Sequence, residues 1–138
     1  NPIYILGLDE NQGSYEAYKA IRWGEYEYQD NREQLEQLEQ KQGLKMVVSH
    51  YPENFALIGE KSYNQFDFDL MMSGHAHGGQ FIFPFFGGVY SPGQGLRPQY
   101  YAGLYGDHPQ MVVSRGLGNS SFPLRLFNPP DMVCIDIQ

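Results

Sequence analysis

The sequence has little cysteine, few basic residues and no long apolar run. Its one cysteine, Cys134, excludes an internal disulfide, and we expect it to be a buried core residue because it lies in the alternating apolar run MVCIDI. Nine Lys and Arg against sixteen Asp and Glu give a net charge of −7 without a clustered basic face, which argues against a nucleic-acid groove. No apolar stretch approaches the roughly 20 residues that a membrane-spanning helix needs.

What the sequence does contain is typical of a globular domain. Its 138 residues are 41% hydrophobic and include eleven tyrosines and nine phenylalanines. A chain of this size can bury roughly two thirds of the surface of its unfolded state. We therefore interpret residues 1–138 as a single domain with its own core.

Two segments have the pattern of helices. The stretch DNREQLEQLEQKQG begins with a residue that can cap a helix, Asp30 or Asn31, places Leu35 and Leu38 on one face and ends at a glycine. The stretch PENFALIGEK, residues 52–61, begins with a proline, which suits the first turn of a helix of about two to three turns.

Short apolar runs rich in β-forming residues predict strands, and together with the helices they predict an α/β layer arrangement. Residues 9–30 and 78–110 lack a clear period. We expect the first to be a loop with a short helical piece and the second to be a long ordered loop. The predicted strands cover residues 3–8, 44–49, 68–73, 111–116 and 131–137.

Three of the four histidines follow the carboxyl ends of two predicted strands. His50 follows MVVS, and His75 and His77 follow LMMSG within the glycine-rich stretch SGHAHGGQ. Ligands of open α/β sheets collect at the carboxyl ends of strands, and neutral imidazole binds Zn, Mn, Fe and Ni. If residues 75–77 are extended, both side chains point to the same side, and the flanking glycines leave room for a cation and a substrate. The pattern therefore predicts a metal or phosphate site.

These segments resemble a known family. VVSHYPE followed by DLMMSGHAHGGQ is similar to the last two motifs of the calcineurin-like metallophosphoesterases, a lone histidine after a strand and then Gly-His-x-His. The downstream YSPGQGL, AGLY and VVSRGLGNSSFPLRLFNPP resemble a bacterial branch of that superfamily. Its members are often tethered to, or exported across, the cytoplasmic membrane. The resemblance covers the chain from its first predicted strand to its end.

The resemblance implies a fold, an activity and a cofactor. The fold is an αββα sandwich of mixed sheets flanked by helices, of which this chain would be the C-terminal half. The activity is hydrolysis of phosphomonoester, phosphodiester or pyrophosphate bonds, in which two divalent metal ions (Mn, Zn or Fe) activate water and polarise the phosphoryl group. His50 and His75 would ligate one ion and His77 the other. The substrate would be a phosphorylated small molecule or a lipid-linked phosphate.

The sequence also departs from this family. The family's first three motifs are Asp-x-His, Gly-Asp-x-x-Asp and Gly-Asn-His-Asp/Glu, which supply carboxylate and further ligands and a catalytic histidine, and none of them occurs here. We therefore expect the catalytic histidine in an N-terminal half that this sequence lacks. We expect the chain alone to bind metal weakly and to be inactive. Because half a sandwich exposes sheet edges and faces, we also expect a homodimer or a swapped assembly.

Several other residues carry weaker signals. Asp67 and Asp69 are either partners that orient a liganding imidazole or a polar entrance to a strand. Arg115 and Asn119 lie in a glycine-containing turn that either contacts a phosphate or only connects two strands. We interpret His108 as an ordinary hydrogen-bonded residue.

Two functions of other classes remain alternatives. The chain is a non-catalytic metal- or phosphate-binding module if it holds a single tight divalent site and never acquires activity. It is a membrane-surface interaction domain if the aromatic run FIFPFFGGVY faces lipid headgroups rather than walling the site. The acidic net charge works against binding to anionic lipid.

Overall fold

The computed structural model describes residues 1–9, 29–120 and 122–136. Most of the predicted loop over residues 9–30 lies outside the described residues. In chain order the helix and strands are β1 (Ile3–Gly7), α1 (Arg32–Glu39), β2 (Leu44–Val48), β3 (Leu70–Ser73), β4 (Ile82–Phe83), β5 (Gly87–Gly88), β6 (Tyr90–Ser91), β7 (Gly95–Leu96), β8 (Gly103–Tyr105) and β9 (Gln110–Val113).

One mixed sheet, in the order β1-β2-β3-β9-β8, forms the centre of the fold. β1, β2, β3 and β9 run parallel, and β8 returns antiparallel to β9 at one edge. Val47 of β2, Met71 of β3 and Met111 of β9 pair in one row across the sheet. The mixed α/β class is thus confirmed, as are the first four predicted strands, whereas the second sheet of a sandwich stays a prediction.

Helix α1 forms where the sequence predicts it. Asn31 is the N-cap, and its carbonyl accepts a hydrogen bond from the Leu35 N–H at 3.1 Å. The Asn31 side chain does not cap the helix but donates to the Tyr63 hydroxyl at 2.6 Å. Leu35 and Leu38 are buried in one cluster with Val47. None of the helices in the described ranges reaches the length and apolar character of a membrane-spanning segment.

The predicted helix over residues 52–61 is wrong. The proline does open a helical turn, but it is a 3₁₀ turn, Pro52–Asn54, and a second short turn spans Gly59–Lys61. Between the two turns Ile58 leaves the helical region, and Gly59 has a left-handed φ of 61°. A continuous helix requires helical dihedral angles at every residue, so these two positions divide the segment.

The predicted final strand, residues 131–137, is also wrong, because its described part contains no strand. The Asp131 carboxylate accepts hydrogen bonds from the Ser114 hydroxyl and the Arg115 N–H, each at 2.9 Å, just after β9. β9 is already paired on both edges, by β3 and β8. The apolar run therefore cannot pair with β9 as a further strand. Cys134 is exposed and is not a core residue.

The segment over residues 78–110 is ordered, as predicted, but it is more than a loop. It contains two antiparallel hairpins, β4–β5 and β6–β7, before β8 joins the main sheet. A Cβ added at Gly79 would lie 2.6 Å from the Cα atom of Gly88. This close approach brings the first hairpin against the turn that follows β3.

The two faces of the main sheet are covered differently. One face carries the core, where Val47, Met71 and Met111 are fully buried. On the other face Ile5 is 64% and Val48 is 41% exposed. Parallel strands are ordinarily covered on both faces, so the described residues leave one apolar face partly open.

Neighbouring valines of β2 test this difference. Val47 is 0% exposed and Val48 is 41% exposed. We expect Val47→Ala to lower the free energy of unfolding by about 2 kcal/mol, because it removes buried methyl groups and leaves a cavity. Val48→Ala should change it by only about 0.5 kcal/mol. Urea unfolding followed by circular dichroism measures both variants, and equal losses would contradict an open second face.

Candidate metal centre

The parallel strands bring several carboxyl ends to one edge of the sheet, where hydrogen bonds tie them together. The Ser73 hydroxyl donates to the Ser49 carbonyl at 2.8 Å, and the Gly74 N–H donates to the His50 carbonyl at 3.3 Å. On the other side the Ser114 N–H donates to the Ser73 carbonyl at 2.9 Å. The residues that follow β2, β3 and β9 therefore lie next to one another.

His50 and His75 contact each other directly. The His50 Nε2 and His75 Nδ1 atoms are 3.1 Å apart. The ring centroids are 4.8 Å apart, and the buried Tyr51 packs edge-on against both rings. The Nε2 atom of His75 is buried and has no hydrogen-bond partner in the described part of the chain. Tyr51 thus orients two imidazoles whose nitrogen atoms converge.

His77 has different neighbours. Its Nδ1 atom is 3.5 Å from Nη2 of Arg125, and its carbonyl accepts a hydrogen bond from Asn128 Nδ2 at 2.7 Å. Arg125 in turn donates to the carbonyls of Arg115, at 2.9 Å, and of Gly118. His77 therefore lies beside a guanidinium.

The surroundings of the three imidazoles favour their neutral forms. Burial, followed by the charges of His50 and His77, lowers the pKa of His75 to about 3. Burial and then the charge of His77 lower the pKa of His50. Burial and then the charge of Arg125 lower the pKa of His77, although a hydrogen bond with the Gly118 backbone acts in the opposite direction. A neutral ring has a free lone pair, which a metal ligand requires.

The turn that carries His75 and His77 is not extended, so the extended geometry on which their common side was predicted is wrong. His75 has a φ of 61° and His77 a φ of 46°, both in the left-handed region, and Gln80 follows with 62°. Residues other than glycine adopt this region uncommonly. Such backbone costs about 1–3 kcal/mol per residue and clusters at functional sites.

The glycines of this turn mostly make room for other protein atoms. A Cβ at Gly78 would lie 2.1 Å from Oδ1 of Asn128, and a Cβ at Gly79 would lie 2.6 Å from Gly88. Gly74, by contrast, faces open space. The expectation that the glycines leave room for a cation and a substrate is therefore wrong for Gly78 and Gly79.

Two amide side chains join the turn to a segment 42 to 51 residues later. Gln80 donates from Nε2 to the carbonyls of Phe122 and Leu124, at 2.9 and 2.6 Å. Asn128, which is 3% exposed, donates from Nδ2 to the carbonyls of His77 and Gln80, at 2.7 and 3.2 Å. The histidine turn and the later segment therefore form one unit, which no local sequence pattern signals.

The predicted aspartates serve the fold rather than the histidines. Asp69 accepts a hydrogen bond from the Lys45 N–H at 2.7 Å, and Asp67 pairs with the Lys45 ammonium. Both aspartates precede β3, whereas His75 follows it. The polar strand entrance is therefore confirmed, and a role in orienting the imidazoles is wrong. His108 is hydrogen-bonded, as predicted, with its Nε2 atom 3.1 Å from Asp67.

Arg115 and Asn119 lie in the turn after β9. Contact of these residues with a phosphate stays a prediction. Nε of Arg115 lies 3.7 Å from the Asp131 carboxylate, and Asn119 is exposed. The arginine that reaches a histidine is Arg125, 48 residues after His77. The sequence analysis missed this residue, because nothing in its immediate surroundings distinguishes it from a surface arginine.

Exposed aromatic side chains lie on the two segments that are joined to the histidine turn. At the tip of the β4–β5 hairpin Phe85 is fully exposed, and in the later segment Phe127 is 67% exposed. The rings of Phe83 and Phe127, 6.2 Å apart, join the two parts. We call this region the aromatic surface; it comprises Phe83, Phe85, Phe86, Phe122 and Phe127.

His50 and His75 are the candidate ligands that the structure brings closest together. Two nitrogen ligands that each lie about 2.1 Å from one ion are separated by about 3.4 Å in tetrahedral geometry and by about 3 Å at a right angle. His50 Nε2 and His75 Nδ1 are 3.1 Å apart. No group of three or more His, Cys, Asp and Glu side chains in the described ranges is arranged to hold one ion. His50 and His75 would therefore need further ligands to hold a cation.

Comparison with curated proteins identifies relatives that are named phosphoesterases. An uncharacterized metallophosphoesterase of Campylobacter jejuni is 36% identical over 95 residues, which cover 67% of this chain and 22% of the relative. An uncharacterized metallophosphoesterase of Aquifex aeolicus is 26% identical over 141 residues, covering 100% and 46%. The phosphodiesterase YaeI of Escherichia coli is 30% identical over 95 residues, covering 67% and 32%. The chain thus spans less than half the length of each relative. No family model and no solved structure matches.

Two glycines of the turn test how tightly it is built. Gly78 has a φ of 66° and no space for a Cβ, whereas a Cβ at Gly74 meets nothing within 4 Å. We expect Gly78→Ala to lower the free energy of unfolding by about 1–3 kcal/mol. Gly74→Ala should leave it unchanged or raise it by about 0.5 kcal/mol. Thermal unfolding compares the two, and equal effects would contradict the packing of Asn128 against Gly78.

The lowered pKa of His75 predicts a pH dependence of stability. The ordinary histidine pKa is 6.5 and that of folded His75 is about 3, so between these values the unfolded chain binds a proton that the folded chain does not. The free energy of unfolding should therefore fall as the pH decreases below 6.5. Urea unfolding in EDTA across this range measures the slope. His75→Gln should reduce the slope, and an unchanged slope in this variant would contradict the burial of a neutral His75.

Proposed function

Because this chain belongs to the calcineurin-like metallophosphoesterases, we propose that it forms part of a dinuclear metal site that hydrolyses phosphate ester or pyrophosphate bonds. The observation that carries the proposal is the pair of converging nitrogen atoms, His50 Nε2 and His75 Nδ1, 3.1 Å apart at neighbouring strand ends. Their lowered pKa values leave both rings neutral at neutral pH, so a metal ion that replaced their mutual hydrogen bond would find a lone pair on each ring.

Each histidine has a distinct role in this proposal. His50 and His75 would hold one divalent ion, Mn, Zn or Fe, and His77 would hold the other. When bound, such ions activate water and stabilise negative charge on phosphoryl oxygens. Tyr51 packs against both rings of the first pair and fixes their orientation. Asn128 donates to the carbonyls of His77 and Gln80 and so holds the backbone of the turn.

The rest of the site would come from outside this chain. A pair of dications held by neutral imidazoles alone would repel each other almost without compensation, so carboxylate ligands and a catalytic histidine must be added. The open face of the sheet, where Ile5 and Val48 are exposed, is a suitable surface for that missing part. We propose that this chain is the C-terminal half of an αββα sandwich whose second sheet covers this face. In the isolated chain a second copy would cover it.

The aromatic surface favours a substrate with an apolar part. Phe85 and Phe127 are exposed, and the segment that carries Phe127 is joined to the histidine turn through Gln80. Exposed apolar patches of this kind often mark contacts with apolar ligands or membranes. We propose a lipid-linked phosphate as the substrate, with a phosphorylated small molecule as the alternative. A location at, or beyond, the cytoplasmic membrane agrees with such a substrate.

A chimeric protein tests the proposed activity. In this protein the 138-residue chain replaces the matching segment of the Aquifex aeolicus relative. The match covers 100% of this chain. We expect Mn²⁺- or Zn²⁺-dependent hydrolysis of bis(p-nitrophenyl) phosphate by the chimera and none by the isolated chain. His77→Ala should lower the activity of the chimera by about 100-fold or more, because a ligand is lost. His108→Ala is the control, since His108 contacts Asp67 instead.

The outcomes separate the candidate functions. Unchanged hydrolysis in the His77→Ala chimera would contradict the assignment of His77. An inactive chimera beside an active relative would contradict the enzymatic function. If the isolated chain also bound one divalent ion tightly, that result would favour the non-catalytic binding module.

A further inference from the structure

Arg125 is fixed beside His77 by the turn that follows β9. Its Nη2 atom lies 3.5 Å from His77 Nδ1 and donates to the carbonyls of Arg115, at 2.9 Å, and of Gly118. Its Nη1 atom donates to the Gly116 carbonyl at 3.4 Å. Because several backbone carbonyls hold it, the guanidinium has a defined position at the edge of the candidate metal centre.

The charge of Arg125 is not paired with a carboxylate in the described part of the chain. Its acceptors there are the backbone carbonyls and the His77 ring. Arg32, by contrast, pairs with Asp30. A guanidinium has five N–H donors, so the Nε–H and one N–H of Nη1 have no acceptor among the described residues. Arg125 thus offers a positive charge and unused donors to a bound group.

The position of this charge indicates what that group would be. His77, the proposed ligand of one cation, is neutral and does not compensate the guanidinium. A dication bound by His77 and the guanidinium of Arg125 would repel each other unless an anion lay between them. A phosphoryl group provides such an anion, and the planar fork of arginine suits its oxygen atoms.

We propose that Arg125 binds a phosphoryl oxygen of the substrate beside His77. This inference rests on the proposed function, because it names the residue that recognises the phosphate at the proposed site. Gln80 and Asn128 are positioning residues in this account. They hold the segment that carries Arg125 against the histidine turn through the carbonyls of Leu124 and His77.

Calorimetry with phenylphosphonate, a phosphate mimic that is not hydrolysed, tests this inference on the 138-residue chain in Mn²⁺ and in EDTA. We expect Arg125→Met to weaken phosphonate binding by about 10-fold or more and Arg125→Lys by about 3-fold, because lysine keeps the charge but loses the fork. Mn²⁺ binding by both variants should stay within about twofold of the wild type, since Arg125 is not a ligand. Arg32→Met, which breaks an ion pair with Asp30, is the control and should leave both affinities unchanged.

The outcomes distinguish this inference from the proposed function. Equal phosphonate affinity in the wild type and both Arg125 variants would overturn the inference, as would absence of phosphonate binding by the wild-type chain. Phosphonate binding that depends on Arg125 but persists in EDTA would support the inference independently of the metal site, which the activity of the chimera tests. Thermal unfolding verifies the fold of each variant, and Arg125→Lys decides the result if Arg125→Met does not fold.

Discussion

The parallel alignment of β2, β3 and β9 determines where the functional groups of this chain lie. Parallel strands end at the same edge of a sheet, so the residues that follow them become neighbours. Hydrogen bonds among Ser49, Ser73 and Ser114 hold these ends in register. His50 and His75, 25 residues apart in sequence, meet for this reason at a nitrogen separation of 3.1 Å. The site is thus a consequence of the sheet, and the turns only refine it.

Two independent features indicate that the site is completed by something outside the described residues. The first is packing: one face of the sheet carries the core, while on the other face Ile5 and Val48 remain exposed. The second is chemistry: His50 and His75 offer two converging nitrogen atoms, but no further His, Cys, Asp or Glu in the described ranges joins them around one point. A second layer on the open face would cover the exposed apolar side chains. It would also bring further ligand side chains to the edge where His50 and His75 lie.

The sequence predicted what depends on local pattern and missed what depends on distant contacts. Strand ends and the histidines after them follow from short apolar runs, so the placement of His50 and His75 was foreseeable. The left-handed turn was not, since it depends on Asn128, which reaches the turn from 51 residues away. The helix predicted from Pro52 failed because a glycine seven residues later, Gly59, has a positive φ. The apolar alternation around Cys134 predicted a strand, but pairing needs a free edge that β9 does not offer.

In the proposed site, the charges at the carboxyl ends of the strands suggest different roles for this chain and for the part that would complete the site. The chain has a net charge of −7, yet Asp67 and Asp69 lie at the opposite end of β3 from His75 and His77. At the carboxyl ends the described side chains include neutral imidazoles, the guanidinium of Arg125 and the Arg115–Asp131 pair. The guanidinium of Arg125 attracts an anion, and the neutral imidazoles leave a dication uncompensated. In the proposed site the substrate phosphate would therefore lie beside Arg125, and carboxylates from outside the described residues would retain the metals.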